Sequence, residues 1–357
     1  MFPMQVAKSV TTSLAEWSHR QPDSMGFWLP TGLIHGADAR MALANGQGHA
    51  LLGRDDLAFS SLTRNGVAED APTDILKQFT SQRPNLAGLS PHRTAIMAIL
   101  NITPDSFSDG GKHFGDDAYL KALDEMAEGG VDVIDIGGES TRPGADELTW
   151  QEEWGRIEAA VHHAVGLGPK ISVDTRKAPV MEKALAAGVD IINDVSALQF
   201  DPDALPLVAG QDVDLILMHH RGTPQNMQQL TDYDALIPEI LGHLEGQVAA
   251  CVAAGHDRAR IMIDPGIGFA KTLEQNYEIL RALPAFHILG QPLLLGVSRK
   301  SLFKILPFAE HTPGRLPASL VAQSFAMQQG IQMLRVHDWR ESLQIRAFME
   351  HLLMSSA

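Results

Sequence analysis

TAIMAILNITPDSFSDGGKHFGDDAYLKALDEMAEGGVDVIDIG, residues 94–137, shows the pattern that decides the fold. The runs TAIMAIL and VDVIDIG are short, apolar and rich in branched side chains, which is typical of buried strands. Between them, DDAYLKALDEMAEGG has a helical period and ends on a glycine pair, a common helix stop. A strand, a helix and a second strand in this order predict two parallel strands joined by a crossover helix.

The same alternation continues to the end of the chain. The further runs are KISVDT (170–175), DIINDV (190–195), DLILMHH (214–220), RIMIDPG (260–266), PLLLGVS (292–298) and QMLRVHD (332–338). Eight such units predict an α/β fold, a closed (β/α)8 TIM barrel. An open doubly wound sheet is the alternative, but it would need a glycine-rich dinucleotide turn after its first strand, where NITPDSFSDGG stands instead.

Residues 1–90 break this rhythm. They contain scattered glycine and asparagine, with a possible strand pair around GHALLGRDDLAFSSLT (48–63). We therefore predict a small N-terminal α+β extension of unassigned role at residues 1–90. The catalytic barrel would then occupy residues 91–357.

The composition excludes several classes of protein. Hydrophobic residues make up 45% and charged residues 20% of 357 positions, which is ordinary globular usage. The net charge of −15 disfavours nucleic acid and anionic membrane surfaces as partners. Any phosphate site must therefore be a local basic cluster.

Cysteine usage and hydropathy bear on the compartment. The single cysteine, Cys251, lies in a helical run and is predicted to be a core residue, so no internal disulfide can form. No apolar stretch approaches the ~20 residues that span a bilayer, and the N-terminus lacks the apolar centre of a secretory signal. A cytoplasmic location is expected.

Polar side chains stand at every predicted strand end, where a barrel of this type builds its active site. Contact with water would explain a few of them. It explains Asp174, Asn193 and Asp264 poorly, because each lies inside or directly after an apolar run. The others are Asn101, residues 137–142, Asp194, His219, His220, Arg221, residues 298–300, Arg335, His337 and Asp338.

Asp174, Asn193 and Asp264 suit a planar heterocycle with a guanidine-like edge, such as a pterin, because buried carboxylates need partners. Lys300 would bond the ring from the opposite side. Internal salt bridges across the barrel are the alternative interpretation. His219 and His220 do not predict zinc, because neighbours on a strand point to opposite faces; one should line the pocket and the other pack outward.

A basic cluster is predicted at the same end of the barrel. Arg335, His337 and Arg142, with Arg299 as a weaker candidate, would hold pyrophosphate. With two phosphate groups, the amide oxygen of Asn101 could complete the oxygen-rich octahedral shell that Mg2+ prefers.

The chain resembles the dihydropteroate synthase family over about residues 94–340. The resemblance rests on eight strings in order: NITPDSFSDGG, VIDIGGESTRPGA, SVDT, INDVSAL, LMHHRGTPQNMQ, IDPGIGFAK, GVSRKS and RVHD. It implies condensation of 6-hydroxymethyl-7,8-dihydropterin pyrophosphate with p-aminobenzoate, giving 7,8-dihydropteroate and pyrophosphate. It also implies an enzyme of folate biosynthesis that sulfonamides inhibit, and a homodimer through the helices late in the barrel. The stretch SLVAQSFAMQQG suits such a face, and an ordinary core-facing helix would show the same pattern.

The resemblance also implies residue roles. The pterin would be held by Asp174, Asn193, Asp264 and Lys300, with Met218 and Phe269 on its faces. The pocket for p-aminobenzoate would be shaped by Phe107, Thr141, Pro143 and Ser301. Arg335 and His337 would bind pyrophosphate, Arg142 would close over the site, Asn101 would ligate Mg2+, and Lys300, Arg335 and His337 form the expected catalytic set.

Two other functions are compatible with a pterin pocket. A methyltetrahydrofolate:corrinoid methyltransferase would share the Asp and Asn contacts but would not need the basic cluster. A non-catalytic pterin-binding homologue would be expected to have lost Lys300, Arg335 or His337, all of which are present. Departures from the family pattern are Ala270 and Gln275, where glycine and histidine are expected, and Ala318.

Overall fold

The N-terminal part of the chain folds around a small antiparallel sheet. The computed structural model describes residues 26–103, 117–140 and 145–354. Its first elements are β1 (Trp28–His35), α1 (Gly36–Ala44), β2 (His49–Ala50), β3 (Leu57–Arg64), β4 (Val67–Ala68) and α2 (Thr73–Thr80). The sheet order is β1-β3-β2, and β4 also pairs with β3. The pairing of β2 with β3 confirms the strand pair predicted in this region.

Eight parallel strands follow. They are β5 (Ala95–Asn101), β6 (Val133–Gly137), β7 (Lys170–Asp174), β8 (Ile191–Asp194), β9 (Asp214–Met218), β10 (Ile261–Asp264), β11 (Leu294–Leu295) and β12 (Met333–Val336). A parallel bridge between Ile263 and Leu293 joins the two ends of this order, and the Ile263 amide donates to the Pro292 carbonyl at 3.0 Å. The predicted closed barrel is therefore confirmed.

Helices alternate with these strands. They are α3 (Asp117–Glu128), α4 (Trp150–Ala164), α5 (Ala178–Ala187), α6 (Ala204–Val208), α7 (Leu236–Ala253), α8 (Leu273–Arg281), α9 (Leu316–Gln328) and α10 (Trp339–Met354). Helix α3 ends before the predicted glycine pair, and Gly130 has a φ of +80° that suits glycine. The departure at Gln275 has a local reason, because Thr272 and Gln275 form a capping box at the start of α8.

The interior of the barrel is apolar near the amino ends of its strands. Leu86, in the 3-10 turn Leu86–Gly88, packs against this layer and covers that end of the barrel. The Ala87 amide next to it donates to Asp214 at 2.8 Å. The layer consists of Ala95, Met97, Val133, Ile191, Ile216, Met262, Leu294 and Met333.

The N-terminal unit packs on the outside of the barrel. Its apolar core, which includes Leu51, Phe59 and Phe79, packs against Ile288 in the 3-10 helix Leu283–Leu289. Arg83 is buried there and donates to the His287 carbonyl at 2.5 Å. The division into two domains near residue 90 stays a prediction.

Two further expectations from the sequence concern burial and membranes. Cys251 is buried, as predicted for a core residue. Among the residues that the structure describes, no helix combines the length and the apolar character needed to cross a membrane.

Candidate active site

A buried network of charged side chains lies one layer above the apolar interior. Inward-facing residues alternate along a strand, so Asp135 lies above Val133 on β6 and Arg335 above Met333 on β12. Asp135 is fully buried and accepts from Arg335 Nε at 2.6 Å and from Ser172 Oγ at 2.6 Å. Asn193 Nδ2 lies 3.3 Å from the same carboxylate. The carboxylate thus joins strands β6, β7, β8 and β12.

Asp174 stands at the end of β7 and takes the other side of the same guanidinium. Arg335 Nη2 donates to Asp174 Oδ2 at 2.6 Å. The interpretation of internal salt bridges across the barrel is therefore right for this pair. Burial is the main cause that raises the pKa of Asp174 to about 7; nearby Asp135 and Asp194 act in the same direction, and Arg335 opposes them. Asp174 therefore combines an ion pair to Arg335 with a pKa near neutrality.

Asp264 and Lys300 lie on either side of Gly296, which directly follows β11. A Cβ added at Gly296 would lie 3.8 Å from Asp264 Oδ2, 3.8 Å from Lys300 Nζ and 3.9 Å from Arg335 Cβ. The missing side chain at Gly296 therefore leaves room where three predicted site residues converge. Burial lowers the pKa of Lys300 to about 8, with Asp264 acting in the opposite direction.

The loop after β10 forms one wall of this space. Lys300 Nζ donates to the carbonyl of Ile267 and lies 4.9 Å from the centre of the Phe269 ring. Phe269 is half-buried, and Met218 at the end of β9 is buried. The structure thus brings two apolar side chains to the edge of the polar cluster, as a flat heterocycle would require.

Asn101 ends β5 and lies beside Gly137 of β6, which in turn lies beside Asp174 of β7. A Cβ on Gly137 would lie 3.4 Å from Asn101 Oδ1 and 3.5 Å from Asp174 Cβ. Because Gly137 has no side chain, the two oxygen-bearing groups face a shared space. Within the described ranges, no group of three or more His, Cys, Asp or Glu side chains could hold a metal ion. Asn101 fits a hard cation that takes most of its ligands from phosphate and water.

His337 and Ser298 lie at the ends of the last two strands. His337 Nδ1 is 3.3 Å from Ser298 Oγ. Arg299 takes a different direction from the predicted cluster, because its Nε donates to Asp338 at 2.8 Å. Arg299, the weaker candidate for pyrophosphate binding, thus has its charge paired within the protein.

A cavity of about 480 Å3 lies beside the polar cluster and shares Phe269 with it. It is bordered by loops after β7, β8 and β9, including Arg176, Ser196 and His220. His219, by contrast, is buried behind the loop after β10. This matches the prediction that one histidine of the pair lines a pocket. Asp194 also turns away from the site, since it accepts from Ser196 and Leu198 in its own loop.

Several predicted residues receive no structural description. Phe107, Thr141, Arg142 and Pro143 lie outside the described residues, so their predicted roles stay predictions. Ser301 is described and exposed, and it begins the 3-10 helix Ser301–Ile305.

Sequence reasoning missed Asp135 and Gly296. Asp135 lies in a run whose predicted end agrees with β6, whereas the run that contains Gly296 was predicted to reach residue 298 and β11 ends at Leu295. In both runs only the last polar residues were predicted to belong to the site. The period of two along a strand would have found them, because Asp135 lies two positions after Val133, and Gly296 two positions after Leu294.

Sequence comparisons match the barrel part of the chain to known enzymes. A family model described as pterin binding enzyme matches residues 97–337. The dihydropteroate synthase of Neisseria meningitidis serogroup C is 44% identical over 247 residues, covering 68% of this chain and 87% of that protein. That of Escherichia coli (strain K12) is 39% identical over 264 residues, covering 74% of this chain and 92% of that protein.

Solved structures agree with these sequence matches. The Xanthomonas albilineans dihydropteroate synthase with 4-aminobenzoic acid has a TM-score of 0.71 and 38% identity, covering 77% of this chain and 99% of that chain. The Yersinia pestis dihydropteroate synthase with a sulfonamide drug complex has a TM-score of 0.70 and 40% identity, covering 74% of this chain and 96% of that chain.

Proposed function

The chain belongs to the pterin-binding enzymes, and among them to the dihydropteroate synthases. We propose a role for each residue of the site in the dihydropteroate synthase reaction. The enzyme is a transferase that joins 6-hydroxymethyl-7,8-dihydropterin pyrophosphate to p-aminobenzoate. The products are 7,8-dihydropteroate and pyrophosphate, and the reaction belongs to folate biosynthesis.

The observation that carries the assignment of roles is the space beside Gly296. Asp264, Lys300 and Arg335 border it from three directions, and each of them stands near the carboxyl end of a strand. A pterin ring presents hydrogen donors along its guanidine-like edge and a carbonyl oxygen on the other side. Carboxylates match the first edge and an ammonium matches the second.

We assign Asp264, Asp174 and Asn193 to the donor edge and the ring nitrogens, and Lys300 to the carbonyl side. Met218 and Phe269 would cover the ring faces. Pterin binding at Asp174 would displace Arg335 from that carboxylate, while Asp135 would keep its hold on Arg335 Nε. The remaining guanidinium N–H groups would then be available to the pyrophosphate, together with His337.

The chemistry requires one bond to break and one to form at the exocyclic methylene carbon. The carbon–oxygen bond to pyrophosphate breaks first, and the electron-rich pterin spreads the positive charge left on the carbon. The amine of p-aminobenzoate then forms the carbon–nitrogen bond and gives up one proton to the released pyrophosphate or to solvent. Arg335 and His337 stabilise the charge that develops on the departing pyrophosphate.

Mg2+ is the proposed cofactor, with Asn101 as its ligand from the protein. When bound, it would neutralise charge on the pyrophosphate oxygens. The facing positions of Asn101 and Asp174 over Gly137 support a cation site at this rim. Isothermal titration of pyrophosphate with and without Mg2+ tests the assignment, because Asn101→Ala should remove the dependence on the metal.

The second substrate would bind toward Ser301, Thr141, Pro143 and Phe107. The Xanthomonas albilineans relative holds 4-aminobenzoic acid and the Yersinia pestis relative a sulfonamide drug. We propose that this chain binds both kinds of molecule in the same pocket. Excess p-aminobenzoate should then relieve sulfonamide inhibition, and inhibition that persists would argue for separate sites.

Pyrophosphate release by the purified protein tests the whole scheme. Release should require the pterin pyrophosphate, Mg2+ and p-aminobenzoate together, and dihydropteroate should form in equal amount. Tight pterin binding without release would instead indicate the non-catalytic homologue.

A homodimer is proposed through helices α9 and α10. Val321 and Phe325 on α9 are 70% and 43% exposed, while Phe348 and Leu352 on α10 are 64% and 62% exposed. In each pair the residues stand four positions apart and share one helix face. A second copy of the chain would cover this apolar face. Phe348→Glu should shift the mass measured by sedimentation to that of a monomer, with Arg340→Glu on the same helix as a control.

A cytoplasmic location also remains a prediction from the sequence.

A further inference from the structure

Lys271 is a buried lysine in the loop after β10, and no step of the proposed reaction uses it. Its side chain is 3% exposed, and among the described residues it forms no ion pair. Instead, its Nζ contacts the carbonyl oxygens of Gly266 at 3.0 Å and Phe269 at 2.9 Å, and His219 Nδ1 at 3.0 Å. Burying an amine without a carboxylate partner is unfavourable. The contacts that Lys271 makes instead should therefore have a structural role.

Two of the three contacts of Lys271 are to peptide carbonyls of this loop. The carbonyls of Gly266 and Phe269 turn toward Lys271, whereas the carbonyl of Ile267 between them accepts from Lys300 Nζ. Two neighbouring carbonyls of one loop therefore serve two different lysines. Gly266 permits the turn, because its φ is +73° and an added Cβ would lie 2.0 Å from the His219 carbonyl.

His219 connects this loop to the neighbouring strand end. It directly follows Met218, and its backbone amide donates to the Asp264 carbonyl at 2.9 Å. Its ring packs against His243 with centroids 4.8 Å apart. Burial lowers the pKa of His219, so the ring is neutral, and its Nδ1 forms a hydrogen bond with Lys271 Nζ. Lys271 thus ties the end of β9 to the loop that carries Phe269.

We propose that Lys271 is a positioning residue that, together with His219, fixes the loop of residues 266–269 so that Lys300 and Phe269 face the pterin. Lys271 itself lies behind this loop and touches no substrate. The inference rests on the proposed role of Lys300 at the pterin ring.

The first test replaces Lys271 by Met, which keeps the length of the side chain but removes its donors. The KM for the pterin pyrophosphate and the Kd for free 6-hydroxymethylpterin should rise by about 10-fold to 100-fold, because the pterin contacts are misplaced. The KM for p-aminobenzoate should stay within about two-fold of the original chain. Lys121→Met is the matched control, since Lys121 is 79% exposed on α3.

A second pair of variants leaves Lys271 in place. His219→Gln keeps an acceptor for Nζ and should bind the pterin nearly as well as the original chain. His219→Phe removes the acceptor and should weaken pterin binding by about 3-fold to 10-fold. If Lys271→Met does not fold, this pair still tests whether Lys271 and His219 position the loop of residues 266–269. Equal pterin affinities in the two variants would overturn the proposal.

The unmodified chain separates failure of this inference from failure of the proposed function. If the unmodified chain neither binds pterin nor releases pyrophosphate, the proposed roles at the pterin are wrong, and this inference is overturned with them. If it does both and Lys271→Met keeps its pterin KM, only the positioning role is wrong. A parallel rise of KM for both substrates would also overturn it, because general loosening of the fold does not distinguish the two pockets.

Discussion

Two layers of the same barrel interior differ completely in chemistry although they lie two residues apart on the same strands. The lower layer contains Val133, Met262 and Met333 and is apolar. The upper layer contains Asp135, Asp264 and Arg335 at the next inward positions of those strands. The backbone is equally regular in both, so the side chains alone separate a stabilising layer from a reactive one.

The upper layer tolerates buried charge because its charged groups are paired. Each carboxylate of the upper layer has a donor within reach: Arg335 and Ser172 for Asp135, and the Gly266 amide for Asp264 at 2.7 Å. The lower layer needs no such partners, because it fills the interior with apolar volume alone. Substitutions in the two layers should therefore differ in kind as well as in size.

The largest effect is expected from Asp135→Ala. It leaves Arg335 without one carboxylate and leaves Ser172 and Asn193 without an acceptor, so it should lower the free energy of unfolding by about 3–5 kcal/mol. Pterin affinity should fall with it. Met262→Leu in the lower layer should cost less than about 1.5 kcal/mol and leave pterin affinity unchanged. Denaturant titration and calorimetry measure both, and similar values for the two variants would remove the distinction between the layers.

A smaller effect is expected where the lower layer meets the N-terminal segment. Leu86→Ala removes buried apolar volume from the closed end of the barrel and should lower the free energy of unfolding by about 2–3 kcal/mol. The turnover number at saturating substrate should not change, because the site lies at the opposite end. A drop in turnover without a drop in stability would show that the two ends are coupled.

Pterin binding should depend on pH because Asp174 lies in the polar rim of the site. The pKa of Asp174 in the ligand-free protein is raised from 3.8 to about 7, and pairing with the pterin requires the ionised form. Affinity should therefore rise by about ten-fold per pH unit below pH 7 and level off above it. Calorimetry across this range measures the slope. Asp174→Asn should bind weakly with no such slope, and an unchanged slope would assign the proton to another group.

The same raised pKa affects folding stability with the opposite sign. Since the native state holds the Asp174 proton more tightly than the unfolded state, the native state binds more protons between the two pKa values. The contribution of Asp174 to stability therefore falls as pH rises through that window and is lowest above the native pKa of about 7. Thermal unfolding of Asp174→Asn against the unmodified chain at several pH values should isolate this contribution.

The smallest effect concerns Ala270, where the family pattern has glycine. Its φ is +51°, a conformation that costs an alanine about 1 kcal/mol or more. Ala270→Gly should therefore raise the free energy of unfolding by about 0.5–1 kcal/mol, net of the entropy that glycine gains when unfolded. Ala197→Gly is a matched control away from the loop after β10, because Ala197 is also buried with a φ of +52°. Loss of stability at Ala270 alone would show that the loop needs the alanine side chain.

Much of the site could be predicted from the sequence, because the last residues of all strands in such a barrel lie at the same end. Asp174, Asn193 and Asp264 were identified by their place in apolar runs, and all three are found at strand ends. What the sequence did not reveal is which charges pair. The predicted role of Arg335 at pyrophosphate stays a prediction. The structure adds that Arg335 bridges Asp135 and Asp174, residues at sequence separations of 200 and 161.

The sequence by itself determined the eight strands, their parallel order and the polar rim, because these depend on local periodicity and on the geometry of crossover helices. Only the tertiary structure decided that Asp135 pairs with Arg335, that Gly296 and Gly137 leave space for neighbouring side chains, and that Lys271 contacts two carbonyls of the loop after β10. Those features depend on distances between residues on different strands. Such distances are set by packing of the closed barrel, which no local pattern encodes.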